Sequence, residues 1–198
     1  MATSQHEYQQ AMLELLPEQG DWSESSYLWL TDQTRRLAEY ADGEIEALPM
    51  PTAGHQWIVF FLGRCFFDWL SPQGGIALLA PLRVRLGDRK FREPDLLALL
   101  DRHDPRYGDR YWHGADLVLE VVSPDDPARD LVTKRREYAE AGIPEYWIVN
   151  PLDRTVTVLT LDGERYAEHG IFAVGMVATS ALMPGFVVAV DEVFAELD

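Results

Sequence analysis

The segment from Asp116 to Asn150 narrows the fold more than any other stretch of this chain. It opens with "DLVLEVVSPDD" (116–126), apolar from Leu117 to Val122 except at Glu120. It closes with "EYWIVN" (145–150), a second run of strand length. Between them, a helix is expected over 127–141, with Leu131, Lys134, Tyr138 and Ala141 on one face by their spacing. Strand, helix and strand in that order make a βαβ crossover, which sets the first strand inside the sheet beneath its helix. Glu120 is therefore expected to be buried. A buried carboxylate is destabilising unless it is paired, metal-bound or protonated.

The remaining elements can be read around that unit. Short helices are expected at 5–16 and 22–31, and a hairpin over 36–50 turning at Asp42-Gly43. A largely buried helix follows at 53–70, then strands at 76–86 and 95–100 and a polar loop at 101–114. A second hairpin turns at Asp162-Gly163, and "GFVVAV" with a short terminal helix ends the chain. This is one α/β domain with a mixed central sheet flanked by helices, over 22–198, preceded by an N-terminal extension at 1–21.

Composition limits the function classes. The longest apolar stretch, "WIVFFLGRCFFDWL" (57–70), is broken by Arg64 and Asp68 and is too short to span a bilayer. "MATSQHEYQQ" lacks the basic start and apolar run of a signal peptide, so a soluble cytoplasmic protein is expected. The lone cysteine, Cys65, excludes an intramolecular disulfide and a thiolate metal cluster. The net charge of −16 opposes long-range attraction to nucleic acid. Yet eight of the seventeen Lys and Arg fall between Arg83 and Arg110. That cluster is either a solvated face or a local seat for a polyanion, with Arg83, Arg85, Arg89, Lys90 and Arg92 as its phosphate-contacting candidates.

Glu120 has a candidate companion in Asp95, which follows Pro94 at the head of the apolar run "LLALL". If the two strands are neighbours, the paired carboxylates repel unless they share a proton or a hard cation. Mg²⁺ or Mn²⁺ suits such an oxygen-rich site, keeping waters for a substrate phosphate. Alternatively, Asp95 simply hydrogen-bonds backbone at a strand start. Lys134, on the helix stripe that faces the sheet, is either an amine reaching back to the carboxylates or a lysine snorkelling at the stripe's rim.

Pro94-Asp95, Glu120 in "EVVS", and "RDLVTKRREYAEAGIPEYWIVNP" together resemble the Uma-two family of restriction endonuclease-like proteins, which has the PD-(D/E)XK nuclease fold. The resemblance covers about 22–190, including "DGE" at 42–44 and "PTAGH" at 51–55. In the usual signature the lysine stands two residues after the acid, where this chain has Val122; Lys134 matches the family's helix-borne lysine. The resemblance implies a metal-dependent DNA endonuclease. Asp95, Glu120 and the Val121 carbonyl would hold Mg²⁺ or Mn²⁺, and Lys134 would orient the attacking water. Glu44 and His55 match supporting positions, although a turn-flanking acid and a helix-capping histidine read equally well. The family also implies a homodimer. Two further classes stay open: a nuclease-fold module that binds nucleic acid or a protein without cutting, and a structural homo-oligomer.

Overall fold

The computed structural model describes residues 16–34 and 36–197. The helix expected at 5–16 falls, except for Leu16, outside them. Thirteen strands are ordered along the described chain. The first seven are β1 (Ala38–Ala41), β2 (Glu44–Ala47), β3 (Ile76–Leu79), β4 (Arg83–Gly87), β5 (Lys90–Arg92), β6 (Leu96–Leu99) and β7 (Tyr111–Trp112). The remainder are β8 (Leu117–Val121), β9 (Glu145–Asn150), β10 (Thr155–Asp162), β11 (Arg165–Ala173), β12 (Val177–Thr179) and β13 (Val187–Ala189). The helices are α1 (Glu24–Gln33), α2 (Ala53–Leu70), α3 (Arg135–Glu140) and α4 (Val190–Val193), with a π turn at Arg129–Lys134 leading into α3.

These elements form a mixed α/β domain. The expected crossover is present: β8 runs parallel to β9, with Glu120 opposite Ile148. Both lie inside a six-stranded sheet of order β11-β10-β9-β8-β6-β3, whose other pairings are antiparallel. Alternation divides β8 between two cores. Leu117, Leu119 and Val121 pack with Ile58, Leu62 and Phe66 of α2. Val118 and Val122 share the opposite face with Tyr138 of α3. Glu120 is on that second face.

Three expectations need correction. The run 76–86 is not one strand: Pro81, which has no N–H to donate, parts β3 from β4, and the two enter different sheets. A second sheet, of order β2-β1-β5-β4-β7, therefore accompanies the first. The polar loop at 101–114 contributes β7, which pairs parallel with β4. Finally, Leu131 leaves the buried stripe and is 37 % exposed, whereas Asp130 is 3 % exposed. The wider π turn adds a residue per repeat and rotates Asp130 inward beneath Lys134. No helix among the described residues is long and apolar enough to cross a membrane.

The hairpin β1–β2 has its turn at Asp42 and Gly43, both at positive φ (51° and 96°), the geometry that suits an Asp-Gly turn. The preceding segment docks on it. Gly20 donates its N–H to the Gly43 carbonyl at 2.9 Å, and the Gln19 amide exchanges two hydrogen bonds with the Ile45 backbone. A Cβ on Gly43 would stand 2.1 Å from the Gly20 carbonyl oxygen. Gly43→Ala is therefore expected to destabilise by about 2 kcal/mol or more, since strain at positive φ alone amounts to about 1–2 kcal/mol. Urea unfolding measures this; a loss below about 0.5 kcal/mol would show that the segment does not press on the turn.

Candidate active site

β6 and β8 pair antiparallel with Leu96 opposite Leu119. Asp95 immediately precedes β6 and Glu120 follows Leu119 on β8, so the two acids come to the same end of this strand pair. Asp95 Oδ2 accepts the Val121 N–H at 2.7 Å, and His55 Nε2 lies 3.2 Å from Asp95 Oδ1. So Asp95 both tethers backbone and stands beside the buried acid. His55 reaches it from the first turn of α2, which Thr52 caps by accepting the His55 N–H at 3.2 Å. Burial works against a charged His55 ring, but the Asp95 carboxylate outweighs it and raises the imidazole pKa.

Glu120 does meet the helix-borne amine. Lys134 Nζ lies 2.8 Å from Glu120 Oε1, and the Tyr138 hydroxyl donates to the same oxygen at 2.5 Å. Lys134 is buried and does not snorkel: its ammonium also faces Glu39 Oε1 and Asp130 Oδ1, each at 3.3 Å. Its three N–H donors thus face three carboxylates. Burial opposes the ammonium, yet Glu120, Glu39 and Asp130 outweigh it and hold Lys134 protonated. Glu120 is pushed up to about 8, first by burial and then by Asp130, Asp95 and Glu39, against the pull of Lys134. Glu39 is also fully buried but is drawn down to about 2, because Lys134, Arg92 and Arg129 outweigh its desolvation. The buried acid with several cations is held low, while burial raises the one with a single cation.

Asp95, Glu120, Asp130, Lys134 and His55 line one cleft of about 900 Å³, walled by the 48–52 loop, the start of α2 and the 151–152 turn. Glu44 is exposed on β2 and does not line it. None of Arg83, Arg85, Arg89, Lys90 and Arg92 lines it either, so these residues do not ring Asp95. They lie on or beside β4 and β5 of the other sheet, where most are held by carboxylates. Arg83 pairs with Asp32 at 2.9 Å and Arg85 with Glu24 at 3.1 Å. Lys90 lies 3.2 Å from Glu137, and Arg92 is buried in a two-pronged bond to Glu137 at 2.7 and 2.8 Å. Arg89 is exposed, at the β4–β5 turn.

Two acids, a backbone carbonyl and water are what Mg²⁺ or Mn²⁺ usually takes from a protein, without a dedicated cage. The donor types fit that pattern: Asp95 lies close enough to Glu120 for its charge to raise that acid, and the Val121 carbonyl follows Glu120 on β8. Among the described residues no three His, Cys, Asp or Glu side chains gather as a metal cage. Glu39 and Asp130 join the cluster only in the folded chain. Asp130 carried one usable signal, its place four residues before Lys134 in "RDLVTK"; Glu39 carried none, because β1 is buried on both faces.

Residues 23–191 match the Uma2 (Uma-two) family, described as "Putative restriction endonuclease". The chain belongs to this family. No curated protein matches it. Among solved structures it is similar to a "putative nuclease belonging to DUF820" from Anabaena variabilis ATCC 29413. The TM-score is 0.65 at 20% sequence identity, over 80% of this chain and 89% of that one. At that identity the likeness is one of fold, and the fold is nuclease-like. In this Uma2 chain position 122 is valine, and the π turn brings Lys134 to within 2.8 Å of Glu120.

Proposed function

We propose that the cleft is the active site of a Mg²⁺- or Mn²⁺-dependent endonuclease that hydrolyses phosphodiester bonds of DNA. The observation that carries this reading is the Lys134–Glu120 contact at 2.8 Å beside Asp95, within a family of restriction endonuclease type. Asp95, Glu120 and the Val121 carbonyl would hold the cation, which supplies Lewis-acid neutralisation of the phosphate and acidifies water. Lys134 places its positive charge where charge builds on the phosphoryl oxygens, and orients the attacking water. Asp130 and Glu39 fix the ammonium from behind. The Tyr138 hydroxyl holds Glu120 Oε1, leaving the acid's other oxygen for the cleft.

Calorimetry with Mn²⁺, run beside nicking of supercoiled plasmid with Mg²⁺, Mn²⁺ or chelator, tests the reading. The parent is expected to bind Mn²⁺ and to nick only with metal. Glu120→Gln is expected to weaken Mn²⁺ binding by more than about tenfold and to remove nicking. Equal binding by parent and variant would take Glu120 out of the site. A second reading, a nuclease-fold module that binds without cutting, draws support from the complete use of Lys134 in internal contacts. A parent that binds no Mn²⁺ would leave that reading in place of the enzyme.

A further inference from the structure

Lys134 is not the only cation in the cleft. Arg129 opens the same π turn and is the one arginine among the described residues that line the cleft. Its side chain is 14% exposed and links two very different carboxylates. Nη2 donates to Glu39 Oε2 at 2.8 Å, and Nη1 donates to Glu46 Oε1 at 2.9 Å. Glu39 is fully buried and also faces Arg92 and Lys134, so that half of the guanidinium is anchored. Glu46 stands on β2, lines the cleft mouth, and has a side chain 61 % exposed. Among the described residues its carboxylate pairs with Arg129 alone.

An ion pair with one exposed partner is weak, because water competes for it and salt screens it. A carboxylate offers a guanidinium the same acceptor oxygens as a phosphate. We propose that Arg129 is a phosphate-binding residue of the cleft, and that Glu46 occupies in the free protein the place taken by a backbone phosphate of bound nucleic acid. The inference rests on the nuclease reading and deepens it. It moves the phosphate contact from the Arg83–Arg92 cluster to a residue inside the cleft. It also explains how an acidic protein could engage a polyanion: the contact needs one buried-anchored arginine and the release of a surface acid, not a basic face.

The test is a double-mutant cycle, read as anisotropy of a fluorescently labelled DNA oligonucleotide, single-stranded and duplex, in chelator across a salt series. Glu46→Gln is expected to tighten binding severalfold by removing the competitor. Arg129→Gln is expected to weaken binding by roughly fivefold to tenfold near 0.1 M salt and to flatten the salt slope by about 0.9 on duplex, or about 0.7 on single strand. In the Arg129→Gln background, Glu46→Gln is expected to add almost nothing, since coupled neighbours are not additive. Arg129→Lys keeps a charge beside Glu39 but loses the two-pronged donor; it repeats the cycle if Arg129→Gln fails to fold, and the Glu46→Gln gain should shrink there too. The same gain in parent and Arg129 backgrounds would mean that Glu46 acts only as a nearby negative charge, which overturns the assignment and leaves the nuclease reading standing. A parent that binds neither oligonucleotide at low salt would overturn both.

Discussion

Replacing Lys134 with alanine is expected to lower single-turnover cleavage on the order of 10²–10⁴-fold, the range for losing a positioned catalytic group. The variant should still bind Mn²⁺, because Asp95, Glu120 and the Val121 carbonyl are untouched. Stability should fall as well. Glu120, Glu39 and Asp130 all lie within 3.3 Å of Nζ, and removing one partner of a buried pair costs about 3–5 kcal/mol. Glu120 offsets part of that loss, because burial already pushes it up to about 8 and it can take a proton. A divalent cation supplies positive charge to the same cluster, so Mn²⁺ should raise the melting temperature more in the variant than in the parent. Adding Val122→Lys is expected to restore part of the rate, because position 122, one residue past β8, continues the alternation that points 120 and 122 the same way. Val122 is buried beside Tyr138, so that rescue is limited by overpacking and requires a folding check by circular dichroism. If Lys134→Ala cleaves as fast as the parent, the lysine is a buried counter-ion and nothing more.

The second large effect lies outside the cleft. Arg92→Met is expected to destabilise the protein by about 3–5 kcal/mol, measured by urea unfolding. Arg92 holds Glu137 through two short bonds and faces Glu39 at 3.3 Å, so its loss leaves buried acids short of charge. Lys90 remains 3.2 Å from Glu137 and softens the effect without removing it. The double variant Arg92→Met, Glu137→Met is expected to recover much of the stability, since a buried pair replaced whole by apolar groups is often close to neutral. A loss below about 1 kcal/mol in the single variant, the value of a surface pair, would show that Arg92 is solvated after all and available to a ligand.

These two sites divide what was legible from what was not. Glu120 could be found because its neighbours are apolar on both sides, and the helix behind it identified its strand as an interior one. Lys134 and Tyr138 could be found because they stand four apart, the spacing that aligns residues on a helix. Asp95 followed from its place at the head of a second apolar run. Asp130 was hidden by a π turn, which shifts the inward face by a residue with no unmistakable mark in "RDLVTK". Glu39 was hidden more completely, on a strand buried on both faces. The Arg83–Arg92 cluster was visible as charge, but its employment was not: Arg85 meets Glu24 across 61 residues of chain, and Arg92 meets Glu137 across 45.

Thus the sequence by itself determined the βαβ unit, the buried acid and the amine on its helix, because hydrophobic periods of two and about 3.6 are properties of the local backbone. Only the tertiary structure decided which carboxylates share Lys134, which arginines are spent inside the protein, and which one faces the cleft. Ion pairing depends on distance in space, and each charge is matched by whichever opposite charge the packing of two sheets brings within a few ångströms.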